Sequence, residues 1–231
     1  MLITLTTDFG YKDAFVGIMK GVIFAINPQA QIVDLNHAIP AQDITAGALT
    51  LRYAVSYFPR GTIHVAVVDP GVGTARRPLL IESDGSYFVG PDNGIFSLTL
   101  ANKQPIRIVH LSNPNYRLQP TSATFHGRDV FAPAAAHLSL GVDPGDFGTS
   151  LESLVELSLP KVSRNERQMN AKIIYIDGYG NLFTNVSEHD LTGLPIDRLM
   201  IRCGSLKLMG LAQNYVATRA GGQFEGVCSP T

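Results

Sequence analysis

Four polar segments punctuated by glycine carry the residue types that do chemistry: Thr7-Asp8-Phe9-Gly10, Asp69-Pro70-Gly71-Val72-Gly73-Thr74, Pro91-Asp92-Asn93-Gly94 and Phe125-His126-Gly127-Arg128-Asp129. Each sits where a predicted strand ends. Loops after the carboxyl ends of parallel strands line one crevice, where ligands bind, so the four are expected to converge. Asp8 follows the first strand, a place from which a carboxylate can accept both hydroxyls of a ribose; an Asx turn or a helix cap uses the same residue type. Asp13 directly precedes the helix predicted from about Ala14, and capping is its simpler reading. Asp69 ends the most apolar strand, and Pro70-Gly71 turns the chain there. A carboxylate so placed is desolvated unless paired, and Arg76 or Arg77 lies within one loop's reach. His126 stands in a glycine-bounded turn beside Arg128 and Asp129, whereas His37, His64, His110, His137 and His189 lack such context and read as structural.

Asp8, Asp69, Asp92, His126 and Asp129 together could supply an oxygen-rich metal site for hydrolysis. The sequence has no H-E-x-x-H or C-x-x-C spacing, no Walker loop, no G-x-G-x-x-G and no G-x-S-x-G. Cys203 and Cys228 lie among apolar or small residues and read as free thiols with nothing nearby to activate them. The residues alone reach as far as a nucleotide-like ligand in an α/β crevice.

The elements that must position these loops follow from hydrophobic periodicity. Leu2-Ile3-Thr4-Leu5 reads as a buried strand, and Phe15, Ile18, Met19, Val22, Ile23 and Ile26 recur at helical spacing until Asn27-Pro28. Ile32-Val33-Asp34-Leu35 is a second strand. Ile44, Ala48, Leu51, Val55 and Phe58 mark a helix capped by Asp43 and ended by Pro59. Residues 63–68 are a β-branched run suited to a central parallel strand. A hairpin at residues 79–89 turning on Ser83-Asp84-Gly85-Ser86, a short helix at 94–100, a strand at 106–109 and an alanine-rich helix at 130–138 complete a mostly parallel α/β domain over residues 1–160. Polar residues 161–170 read as a linker, and the short strands of residues 171–231 as a smaller all-β domain.

The chain has 231 residues, 45% of them hydrophobic, which excludes disorder; about 70% of the unfolded surface should be buried at this size. Eighteen Lys and Arg against 19 Asp and Glu leave a net charge of -1, with no basic run for a phosphate backbone, so nucleic acid is not an expected partner. No apolar stretch approaches the ~20 residues needed to cross a bilayer, and Met1-Leu2-Ile3-Thr4 has no basic leader character. The expectation is a soluble cytoplasmic protein that binds a small molecule.

Five motifs, in order along nearly the whole chain, resemble the S-adenosyl-L-methionine hydroxide adenosyltransferases, relatives of the fluorinating and chlorinating adenosyltransferases. They are T-D-F-G at residues 7–10, D-P-G-V-G-T-x-R-R at 69–77, P-D-N-G at 91–94, F-H-G-R-D at 125–129 and D-G-Y-G-N-L-x-T-N at 177–185. The resemblance implies an N-terminal α/β domain, a barrel-like C-terminal β domain, and a homotrimer with active sites between subunits. It implies conversion of S-adenosylmethionine and water to adenosine and methionine with no metal or organic cofactor. The family's catalytic Asp-Arg-His set falls on Asp69, Arg76 and His126. By the same matches Asp8 takes the ribose hydroxyls, Asp13 the methionine ammonium and Asn181 an adenine edge, with Tyr179 and Tyr215 as stacking surfaces and Ser229 as a methionine contact. Where the halogenating relatives carry tyrosine, threonine and serine, this sequence has Asp69, Val72 and Gly127; a carboxylate repels a halide in a dry pocket. Family members continue past the Ser229 region, so the sequence ending at Thr231 implies a C-terminal domain truncated inside the binding site. Two other readings are a nucleoside-binding module with little catalysis and a metal-dependent hydrolase.

Overall fold

Apart from its first residue, Leu2–Thr7 (β1) is buried along its length; covered on both faces, it buries Thr4 and Thr6 on one side as fully as Ile3 and Leu5 on the other. It lies inside a seven-stranded sheet in a computed structural model that describes residues 1–101, 103–212 and 226–227. The chain divides into two compact units, Met1–Ser158 and Leu159–Thr231.

In the first unit, β2 (Gln31–Asn36), β1, β3 (Ile63–Val67) and β5 (Ser86–Pro91) pair in parallel. β4 (Pro78–Ser83), β6 (Arg107–His110) and β7 (Thr149–Ser150) extend the sheet antiparallel, in the order β2-β1-β3-β5-β4-β6-β7. Helices α1 (Phe15–Ile26), α2 (Ile44–Ala54), α3 (Ser97–Leu100) and α4 (Ala132–Ser139) flank it. The periodicity of α1 holds in part: Met19 and Ile23 of the expected set are buried together with Val16, whereas Phe15 and Ile18 are exposed. Met19 and Ile23 join Ile3, Leu5, Ile63, Val65 and Val67 of the sheet and Ala132, Ala135 and Phe131 in one apolar core. Asp43 caps α2 as expected, its carboxylate accepting from Ala46 N–H at 2.9 Å, while a 3-10 turn at Val55–Tyr57 replaces that helix's predicted last turn. The helix expected over residues 94–100 shortens to Ser97–Leu100 because Asn93 and Gly94 form the turn before it. The hairpin turn falls on Asp84 and Gly85, both at positive φ.

In the second unit the residues read as a linker pair with one another, as β8 (Ser163–Arg164) and β9 (Met169–Asn170). β10 (Ile173–Ile176) pairs with β11 (Leu182–Thr184), β12 (Met200–Cys203) with β13 (Leu206–Met209), and β14 (Leu211–Ala212) with β15 (Gly226–Val227); α5 is Glu188–Leu191. Among the described residues these are separate two-stranded sheets, and no closed barrel is traced.

One core polar group has a measurable consequence. His64 is fully buried on β3, with Nδ1 2.9 Å from Thr4 Oγ1 and its ring against Phe88 and Phe58. Burial pushes its pKa down to about 4, against about 6.5 in an unfolded chain. The unfolded state therefore binds the proton more readily, so stability is full above about pH 6.5 and drains as pH falls toward about 4. Urea unfolding measured across that window should show the midpoint falling with pH, with a shallower fall in a His64→Leu variant.

Candidate active site

The loop after β3 closes on itself. Val72 N–H bonds Asp69 O at 3.2 Å, Thr74 N–H bonds Gly71 O at 3.2 Å, and Arg76 N–H bonds Thr74 Oγ1 at 3.3 Å. This curl returns Arg76 to Asp69, where Nε donates to Oδ1 at 2.9 Å and Oδ2 at 3.1 Å, and Nη2 donates to Oδ2 as well. The two side chains are only 9% and 5% exposed. Arg76 also stands over the Phe131 ring, 5.3 Å to its centre.

A second loop brings in His126. It precedes a π-helical turn, Gly127–Phe131, that leads into α4. Arg76 Nη2 lies 2.9 Å from His126 Nδ1. A guanidinium only donates, so Nδ1 must accept, and the hydrogen of the neutral ring sits on Nε2. Burial is the largest influence lowering the His126 pKa; Arg76 and Arg117 add to it, while Asp69 and Asp129 oppose it. Arg76 Nη1 and Arg117 Nε are buried and have no hydrogen-bond partner among the described residues. Asp69, Arg76 and His126 thus form one connected cluster, its ion pair nearly dry and its imidazole half-buried.

Two glycines permit this approach. Gly73 has φ +77, and a Cβ there would stand 2.3 Å from Ala123 O, so only glycine lets the two loops touch. At Gly127 a Cβ would press on Met19 Sδ at 3.2 Å and on the Phe125 and Phe9 rings.

The other motif residues hold loops. Asp92 is buried and accepts from Arg77 Nε at 2.7 Å and Val155 N–H at 2.8 Å. Asp129 accepts from Arg128 Nε at 2.5 Å and Ser122 N–H at 2.8 Å. Burial alone would raise the Asp129 pKa, but these hydrogen bonds outweigh it and lower it. The metal constellation considered from sequence therefore does not form: among the described residues no three His, Cys, Asp or Glu side chains are grouped to hold an ion.

Asp8, half-buried at the end of β1, accepts Gln42 N–H through Oδ2 at 2.8 Å, so it fastens the β2–α2 loop and caps no helix. The capping reading of Asp13 is corrected: Ala14 is the N-cap of α1, without a side-chain bond, and Asp13 is exposed. In the second unit Asp177 accepts from Tyr179 N–H at 2.9 Å, Asn181 N–H at 2.8 Å and Asn181 Nδ2 at 2.6 Å. That turn presents Tyr179 at 95% exposure. Tyr215 and Ser229 lie outside the described residues. The sequence assigns no role to Arg117 or to the Thr7–His37 pair, whose hydroxyl and ring Nδ1 are 2.8 Å apart. His37 follows a strand's carboxyl end as the four motifs do, and that placement was the available signal.

Residues 3–148 match the SAM hydroxide adenosyltransferase N-terminal domain. The chain belongs to that family. It is 40% identical over 196 residues to an (R)-S-adenosyl-L-methionine hydrolase of Salinispora tropica, covering 84% of this chain and 75% of that protein. A second such hydrolase, from Methanocaldococcus jannaschii, is 38% identical over 206 residues, 87% of this chain and 73% of its own. The solved structure of an uncharacterized conserved protein from Thermotoga maritima superposes with a TM-score of 0.84 at 31% identity, covering 94% of this chain and 84% of the other. In this family member the cluster geometry makes a direct prediction. A proton NMR titration should place the His126 midpoint below the ordinary 6.5, and Asp69→Asn should move it lower still, because the carboxylate that favours the charged ring is gone.

Proposed function

We propose that this protein hydrolyses S-adenosyl-L-methionine to adenosine and L-methionine, by attack of water at the ribose C5′. The observation that carries the reading is the buried Asp69–Arg76 pair joined to His126, supported by the family and by relatives that are hydrolases of this substrate. The substrate sulfonium is a cation and its leaving group, the methionine thioether, is neutral, so attack by an anionic oxygen annihilates charge and is favoured where water is excluded. The tautomer divides the labour. His126 Nε2–H is a donor, suited to holding the water oxygen, whereas Asp69 keeps lone pairs beyond those Arg76 occupies and is the group able to take the proton. As the oxygen bonds to C5′, the C5′–S electron pair leaves with sulfur, and the water proton passes to Asp69 and then to solvent. Arg76 fixes the carboxylate by a bidentate grip.

Asp8 would hold the ribose hydroxyls, Asp13 the methionine ammonium and Asn181 an adenine edge, beside Tyr179. Neither metal nor organic cofactor enters this reading. It extends to a homotrimer with sites between subunits, a barrel-like second domain and action in the cytoplasm. No helix among the described residues is long and apolar enough to cross a membrane.

Incubation with S-adenosylmethionine in ¹⁸O-water, with and without a chelator, should place the label in the adenosine 5′-hydroxyl in both arms. Asp69→Asn and His126→Ala should each lower kcat by about 10²–10⁴-fold, the usual worth of positioned acid–base groups. Unchanged bound substrate would leave only a binding module, chelator-sensitive turnover would restore the metal reading, and full turnover by both variants would remove the assigned roles.

A further inference from the structure

The Asp8 loop is held by a relay of side chains that no catalytic assignment uses. Thr7 and His37 are buried. Phe9 N–H donates to Thr7 Oγ1 at 3.2 Å. Asp34 Oδ1 lies 3.0 Å from His37 Nε2; a carboxylate only accepts, so Nε2 carries a ring hydrogen, and in the neutral ring Nδ1 accepts the Thr7 hydroxyl hydrogen across 2.8 Å. Asp34 Oδ2 in turn accepts from Lys20 Nζ at 2.6 Å. The edge of Tyr11 covers the His37 ring, 5.2 Å between centres.

The backbone is tied at the same point. Gly10 N–H bonds His37 O at 2.8 Å, and Gln42 N–H reaches Asp8 Oδ2 at 2.8 Å from a residue at φ +65. A non-glycine residue at positive φ costs energy and persists only where its surroundings over-determine it. The ends of two adjacent parallel strands, β1 and β2, are thereby locked together, and one oxygen of Asp8 is consumed by the lock. Oδ1 accepts no hydrogen bond among the described residues. A carboxylate that must bridge two neighbouring hydroxyls needs its rotation fixed, because orientation is what a positioning group contributes.

We propose that His37, acting through Thr7, is a positioning residue that orients Asp8 toward the ribose diol of the substrate. The inference rests on the proposed function, and it assigns part of the substrate specificity, recognition of the 2′,3′-diol, to a buried relay that does not touch the substrate. A merely structural role would weaken every nucleoside alike; a positioning role weakens only those with the diol.

The test is calorimetric binding of adenosine and of 2′,3′-dideoxyadenosine to the full chain and to Thr7→Val, Thr7→Ser and His37→Phe variants. Circular dichroism confirms that each is folded. Thr7→Val keeps the side chain's shape and removes one hydroxyl. It and His37→Phe should weaken adenosine about ten- to hundredfold, the loss that accompanies one hydrogen bond to a charged group. Binding of the dideoxynucleoside should stay within about twofold of the parent chain, and Thr7→Ser should restore adenosine binding. Equal loss for both nucleosides, or no loss in Thr7→Val, overturns the relay while the hydrolase reading stands. Failure of the unaltered chain to bind adenosine overturns the hydrolase reading and the inference with it.

Discussion

Arg76 lies nine-tenths out of water against an equally buried Asp69, and most of the site follows from that pair. Removing one partner of such a pair costs about 3–5 kcal/mol, because a charge is then stranded, while the pair as a whole contributes little net stability. Its presence is therefore better explained by what it arranges than by what it stabilises. Arg76 spends Nε and Nη2 on the carboxylate and shares Nη2 with His126, which fixes the carboxylate plane, the imidazole tautomer and the spacing of two loops together. The curl of residues 69–76, the absent side chain at Gly73 and the π-helical turn at Gly127–Phe131 all serve to deliver these groups to one point.

The charge environment has the same origin. Around His126 burial is the largest influence lowering the pKa, and Arg76 and Arg117 outweigh the opposing pull of Asp69 and Asp129, so the neutral ring is favoured. Asp129 is itself occupied by Arg128 and Ser122. A neutral ring whose Nδ1 is already engaged offers a single N–H to the site. A lone histidine and a lone aspartate could exchange roles freely; the arginine between them removes that freedom.

Much of this was legible in the sequence because the signals were local. β1 and β3 announced themselves as apolar runs, Asp43 as a cap and Asp84-Gly85 as a turn, each through chemistry confined to a few residues. An ion pair of Asp69 with Arg76 or Arg77 was visible because the loop is short, though its length did not choose between the two arginines. What escaped lay outside such signals, in some cases because the partners are distant. Asp13 has the position of a cap, yet α1 begins without one. Asp92 and Asp129 share the site motifs' spelling but answer to Arg77 and Arg128. His37 looked unremarkable because its partners, Thr7 and Asp34, lie on two different strands. The polar stretch at residues 163–170 lacked the apolar alternation that marks a hairpin, yet it pairs.

The register between β1 and β3 acts as a ruler. Thr7 pairs with Val67, so Asp8 leaves the sheet level with Val68 and Asp69 follows one residue farther along, on neighbouring strands spaced about 4.8 Å. A five-membered sugar could lay its diol toward one carboxylate and its exocyclic carbon toward the other without stretching across the crevice. A slip of one residue would change that offset by about 3.3 Å and turn the slipped strand inside out. The tolerance for chemistry is thereby written into the apolar core beneath it, in Ile3, Leu5, Ile63 and Val65, residues that never meet a ligand yet set the gauge to which the site is cut.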